Sequence, residues 1–149
     1  PKTLVKYLVR AEGRRLGGRT EKILSDILAT EISPELLPPD AAGNIAQKTE
    51  DIIGPYELHD FYLYHFLRRG DPPAKTLFLA ERAFAGKYER ATLKKWLVNF
   101  YRRVFSQQIK RNCVPDGVKV GSVSLSPRAD WRMPSDASAA LWLEQAENL

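Results

Sequence analysis

From Tyr56 to Arg69 the chain places apolar side chains on every side of the helix it would form: Phe61, Tyr62, Leu63, Tyr64, Phe66 and Leu67 leave no continuous polar face. A helix that is apolar all round is stable in water only when neighbours pack against all its sides. This segment therefore predicts a central core helix and demands partners for it. Gly54-Pro55 separates it from a shorter helical stretch near residues 47–53. On its other side, Asp71-Pro72 reads as an N-cap followed by proline at the first helical position, opening a helix through about Phe84.

The longest amphipathic pattern supplies a partner. Leu93, Trp96, Leu97, Phe100 and Val104 recur at helical spacing and predict a helix over Ala91–Arg111, with Lys95, Arg102 and Arg103 on the other side. The Trp and Tyr side chains of these helices read as core. Lys2–Leu16 reads as a further helix, stopped by Gly17-Gly18, and Thr20 as the cap of a short helix bearing Ile23, Ile27 and Leu28. Pro34, Pro38 and Pro39 then forbid a helix and predict an extended connector running into a loop at residues 40–44. Residues 112–134 read as a long loop, in which Val118, Val120, Val123 and Leu125 suggest a short strand or hairpin. Ser135 or Asp136 is expected to cap a final helix over about 135–147. The whole reads as mostly α, which leaves open a piece of an α/β domain whose strands lie elsewhere.

Charge narrows the function. The net charge is +5 over 149 residues, and Lys87–Arg111 holds eight Lys and Arg against the single acid Glu89. Such a concentration suits an anionic partner, whether nucleotide, nucleic acid or acidic protein; it is equally what a solvated helix face looks like. No apolar run nears the ~18 residues of a membrane span. The lone Cys113 excludes an internal disulfide and a Cys-only zinc site, and cytoplasmic residence is the default. The start at Pro1, without initiator Met or signal stretch, is expected to fall inside a longer protein.

One anomaly marks a candidate site. Continuing the apolar face of the long helix puts Gln107, Gln108 and Arg111 on the buried stripe, where the chain enters the glycine-bearing loop with Lys119, Arg128 and Arg132. Polar groups there must find partners. They either cap the helix C-terminus or form a pocket wall for a polar ligand. The pairs Glu50-Asp51 and Glu57/Asp60 read as capping or solvated acids rather than a metal site, His59 and His65 as structural, and Cys113 not as a nucleophile. No P-loop, dinucleotide fingerprint or metalloprotease helix is present.

Three stretches carry a resemblance: Tyr56-Glu57-Leu58-His59-Asp60-Phe61, Ser106-Gln107-Gln108-Ile109-Lys110-Arg111, and the run from Val123-Ser124-Leu125-Ser126-Pro127-Arg128 through Trp131-Arg132-Met133-Pro134-Ser135-Asp136. Together they resemble the C-terminal region of bacterial glutamine-dependent NAD+ synthetases, a likeness that covers residues 1–149. It implies the C-terminal part of a Rossmann-like α/β synthetase domain (adenine nucleotide alpha-hydrolase-like). That domain adenylates deamido-NAD+ with ATP and Mg2+, and ammonia from a glutaminase domain then displaces AMP. The SGGxDS pyrophosphate loop, the glutaminase triad and the Mg2+ ligands of that family have no match here. The resemblance thus implies no catalytic residue and no metal ligand in this segment, and an inactive fragment. It implies ATP contacts at Lys2 and Ser33, and deamido-NAD+ contacts at Lys110, Arg111 and Gln108; Ile109 stands where smaller relatives have His. The expected partners are deamido-NAD+, ATP, the missing parts of the same protein and further copies in a homo-oligomer, with neither membrane nor nucleic acid. A basic helical nucleic-acid-binding or interaction module is the alternative.

Overall fold

The computed structural model describes residues 1–30, 49–128 and 130–149. The expected connector, the loop at 40–44 and Ser33 lie outside them. The chain divides into two compact units, Pro1–Tyr56 and Glu57–Leu149, each taken by itself. No strand is found among the described residues.

The first unit is built on a hairpin of α1 (Lys2–Leu16) and α2 (Gly18–Ala29), followed by α3 (Thr49–Ile53). Gly17, at φ 67°, and Gly18, at φ 55°, make the reversal, so α2 starts at Gly18 and Thr20 falls inside it rather than capping it. The helices touch where α1 lacks a side chain: a Cβ on Gly13 would stand 3.5–3.6 Å from Leu24 and Glu21. Only part of the apolar surface is covered by this contact. Val5, Leu8, Leu16, Ile23 and Ile27 stay between 44% and 60% exposed. Glu50 acts as the local cap expected of it, its Oε1 accepting the Tyr56 backbone N–H at 2.9 Å.

In the second unit the apolar segment forms α4 (Tyr56–Leu63) and continues as a π-helical turn over Tyr64–Arg69, closed by Gly70 in the left-handed conformation. The other helices are α5 (Pro73–Ala83), α6 (Arg90–Ser106), α7 (Gln108–Asn112) and α8 (Ala140–Glu147). Leu58, Tyr62 and Phe66 descend one side of α4 and the π turn into a core with Leu77 and Ala80 of α5, Leu93, Leu97, Phe100, Tyr101, Val104 and Phe105 of α6, and Ala146 of α8. Phe66 meets the rings of Phe100, Tyr101, Phe105, Trp131 and Trp142 at centroid distances of 5.1–6.2 Å. Burial is not complete on all sides as the pattern predicts: Tyr64 is 43% exposed.

Two helix starts differ from expectation. The helix after Gly70 begins at Pro73, because Pro72 is extended at ψ 163°. Asp71 does not cap it. Its buried carboxylate binds His65 Nδ1 at 2.8 Å and Lys75 Nζ at 2.7 Å, staking the end of the π turn to α5. The last helix starts at Ala140 instead of near 135, where the Ser138 hydroxyl accepts the Ala140 N–H at 3.2 Å. The strand foreseen around Val118–Leu125 is absent. Side chains tie this stretch down instead: Arg128 binds Asp116 and the Val114 carbonyl, and Lys119 binds Asp130 at 2.7 Å.

The packing sets three outcomes. Gly13→Ala should stabilise the hairpin by about 0.5–1 kcal/mol, since the methyl fits at ordinary contact distance and removes backbone freedom from the unfolded chain; thermal unfolding followed by circular dichroism reads it. The buried Tyr62 hydroxyl donates to the Leu93 carbonyl at 2.9 Å, so Tyr62→Phe should cost about 0.5–1.5 kcal/mol in a denaturant titration. The hydrogen bond from His65, then that from Lys75, holds the Asp71 carboxyl below its ordinary range. A carboxylate whose pKa falls on folding adds stability above its unfolded pKa and loses it as pH drops through the folded value. The stability gap between the wild-type chain and Asp71→Asn should therefore be full at pH 7 and close below about pH 4.

Candidate functional site

The predicted helix over 91–111 is two helices. Leu93, Leu97, Phe100 and Val104 are buried as the periodicity requires, Trp96 is half-buried, and Tyr101 and Phe105 widen the face. At Gln107 the backbone turns to φ −94°, ψ 12°, its N–H returning to the Arg103 carbonyl at 3.0 Å, and α7 then starts afresh. This break re-aims the polar residues that the single-helix pattern placed on the stripe. Gln107 is half-buried and donates to the Ser106 hydroxyl at 3.4 Å. Gln108 is 0% exposed. Its Nε2 donates to Asn112 Oδ1 at 3.0 Å, and its Oε1 accepts Arg111 Nε at 2.9 Å. Arg111 Nη2 also donates to the Val104 carbonyl at the end of α6. Burial, which penalises the charged form, pulls the Arg111 pKa below its ordinary value.

Two clefts open beside this cluster. One, of about 190 Å³, is lined by His59, Asp60 and Leu63 of α4, by Phe100, Arg103 and Val104 of α6, and by Gln107, Arg111 and Leu125. The other, of about 270 Å³, lies under the following loop, between Arg111, Val114, Pro115, Gly117 and Val118 on one side and residues 124–128 on the other. Arg111 and Leu125 belong to both. The first combines two guanidiniums and an amide with an apolar floor, the composition of a site that orients a polar, anionic ligand against apolar surface.

The sequence-predicted residues divide accordingly. Arg111 lines both clefts, Lys110 lies next to it on the exposed side of α7, and Gln108 lines neither cleft. Lys2 is exposed in the first turn of α1, in the other unit. His59, Asp60 and Arg103 are cleft residues that sequence reasoning set aside. Their signal was position: α4 and α6 pack in one core, and these polar residues flank its apolar stripes. His65 is structural, bound to Asp71, and Glu57 is an ion-pair partner, with Lys87 Nζ and the Tyr88 hydroxyl each 2.5 Å from its Oε1. Those two bonds outweigh the burial that would raise the Glu57 pKa, and the net shift is downward. Cys113 is a free, exposed thiol. Among the described residues no His, Cys, Asp and Glu cluster as metal ligands would, and no helix is long and apolar enough to cross a membrane.

No family model matches the chain. It is 39% identical over 167 aligned residues to the glutamine-dependent NAD(+) synthetase of Mycobacterium leprae, and 37% identical to those of Mycobacterium bovis and Mycobacterium tuberculosis. In each case the match covers 99% of this chain and 24% of the relative. Across nearly its whole length, the chain is thus similar to one segment, about a quarter of the length, of these glutamine-dependent NAD(+) synthetases.

Proposed function

We propose that the chain is the C-terminal part of the synthetase domain of a glutamine-dependent NAD+ synthetase, an ATP-dependent carbon–nitrogen ligase, and that the end of α6 with α7 forms part of its deamido-NAD+ site. The identity spanning 99% of the chain carries the assignment to this enzyme. The two clefts meeting at Arg111 support the placement of the site. In the reaction, a carboxylate oxygen of deamido-NAD+ attacks the α-phosphorus of ATP, expelling pyrophosphate. Ammonia drawn from glutamine then attacks the acyl carbon and AMP leaves. The contribution of this segment is binding: Lys110 and Arg111 offer cationic donors to a polyanion, and Lys2 and Ser33 offer an ammonium and a hydroxyl to ATP. Mg2+ is held by residues outside this segment, and a Rossmann-like α/β sheet outside it completes the domain. The apolar side chains left exposed on α1 and α2 are the surface such a domain would cover. The protein works in the cytoplasm as a homo-oligomer.

The nucleic-acid alternative draws no support from the cations of the second unit. Lys87, Arg90 and Arg102 pair with Glu57, Glu81 and Glu147, Lys94 reaches the Leu149 carbonyl, and Lys95 lies 4.7 Å from the Trp96 ring. They do not form an open row for a phosphate backbone.

In the full-length enzyme, Lys110→Ala should weaken deamido-NAD+ use while glutamine hydrolysis continues. Losing a hydrogen bond to a charged group costs about 1.5–3 kcal/mol, or on the order of ten- to a hundredfold in affinity. Lys95→Ala is the mid-helix control. Michaelis constants for deamido-NAD+ that are equal in both variants and the wild type would remove Lys110 from the site. The 149-residue chain by itself should form no NAD+ from ATP, ammonia and deamido-NAD+.

A further inference from the structure

We infer that Gln108 is a positioning residue that touches no ligand, and that it holds Arg111 as the receptor for an anionic phosphate or carboxylate group in the cleft between α4 and α6, with Arg103 as the second cation. The inference deepens the reading of this cleft as a substrate wall and rests on it, although the anion binding can be measured without it. Gln108 has 0% exposure and lines neither cleft, so direct contact with a bound molecule is closed to it. Its amide is engaged at both ends inside the fold, Nε2 with Asn112 and Oε1 with Arg111. Arg111 has five N–H donors. One goes to Gln108 Oε1 and one to the Val104 carbonyl. Both acceptors are neutral: they fix the plane of the guanidinium and leave its charge unspent.

The contrast with nearby cations is chemical. Arg90, Arg102 and Arg128 each meet a carboxylate, whereas among the described residues none is bonded to Arg111 or Arg103. A half-buried guanidinium in excess of the acids around it is costly, and an anion arriving in the cleft relieves that cost. Planar, forked donors favour oxyanions. The identity of residue 108 fits this purpose. A glutamate there would still accept the Arg111 N–H but would neutralise the guanidinium and lose the donor to Asn112; the amide orients without neutralising. Asp60 is the one carboxylate lining the same cleft, so its two guanidiniums keep a net positive charge there.

The test is titration of the 149-residue chain with inorganic pyrophosphate, following the Arg111 Nε–H resonance and the binding heat. The wild type should bind saturably in the millimolar range or tighter, with a shift at Arg111. Gln108→Glu should weaken binding at least tenfold while the chain stays folded by circular dichroism, because the new carboxylate occupies Arg111 internally. A purely structural Gln108 predicts unchanged affinity in that variant. Arg103→Gln and Arg111→Lys, which leave Gln108 in place, should each weaken binding about tenfold, and they decide the matter should Gln108→Glu not fold. Lys95→Ala should bind as the wild type does. Wild-type affinity in folded Gln108→Glu, wild-type affinity in both arginine variants, or no Arg111 shift in the wild type, each overturns the inference. Deamido-NAD+ titrated in parallel separates the two claims: pyrophosphate bound at Arg111 with deamido-NAD+ unbound keeps the anion receptor and removes the substrate assignment.

Discussion

The second unit is organised around the ring of Phe66. Five aromatic side chains from α6, α8 and the loop before it converge on it, mostly edge to face, the arrangement in which ring quadrupoles attract. The π turn presents that ring, and the turn ends in a contact between charged groups. Gly70 reverses the backbone, Asp71 reaches back to His65, and Lys75 holds the other carboxylate oxygen. Loosening this stake would let the turn unwind and move Phe66 away from Trp131 and Trp142, and with them the stretch that leads from the second cleft to α8.

The electrostatics follow from the same packing. A run of eight basic residues against one acid looks one-sided along the sequence. In three dimensions α4, α5 and α8 bring up Glu57, Glu81 and Glu147 against it. These pairs are exposed or half-exposed and individually worth little; none of the three acids pairs with Arg103, Lys110 or Arg111, and Asp60 is the acid that lines the cleft beside the two arginines.

The legible parts of the fold were those governed by one physical rule. The 3.6-residue period placed Leu93, Leu97, Phe100 and Val104 in the core, and the all-apolar segment announced Tyr62 and Phe66 as central. Errors arose where two rules competed. Asp71-Pro72 has the composition of a cap, but a second proline and a half-buried histidine claimed the residues. Val118 to Leu125 has strand-forming residues, yet no strand partner lies among the described residues, and Val118 is 93% exposed. The site was half legible. Its polar cluster could be found as a conflict between residue type and helical face. The break at Gln107, which sends Gln108 inward and Arg111 to the clefts, lies in backbone angles that periodicity does not encode. His59 and Arg103 become neighbours of the cleft only through tertiary packing.

Because Arg111 and Leu125 wall both clefts, the two spaces are not independent. The guanidinium, held in one plane by Gln108 and the Val104 carbonyl, offers its remaining N–H groups to both, and any free energy spent in ordering them is shared between the two. Occupancy of either space must then alter the affinity of the other, by the same factor in both directions. Two halves of one molecule lying on either side of that side chain would be recognised jointly, so that a fragment filling only one space would bind more weakly than its contacts suggest. A single shared arginine would thus make the pair of clefts behave as one cooperative site.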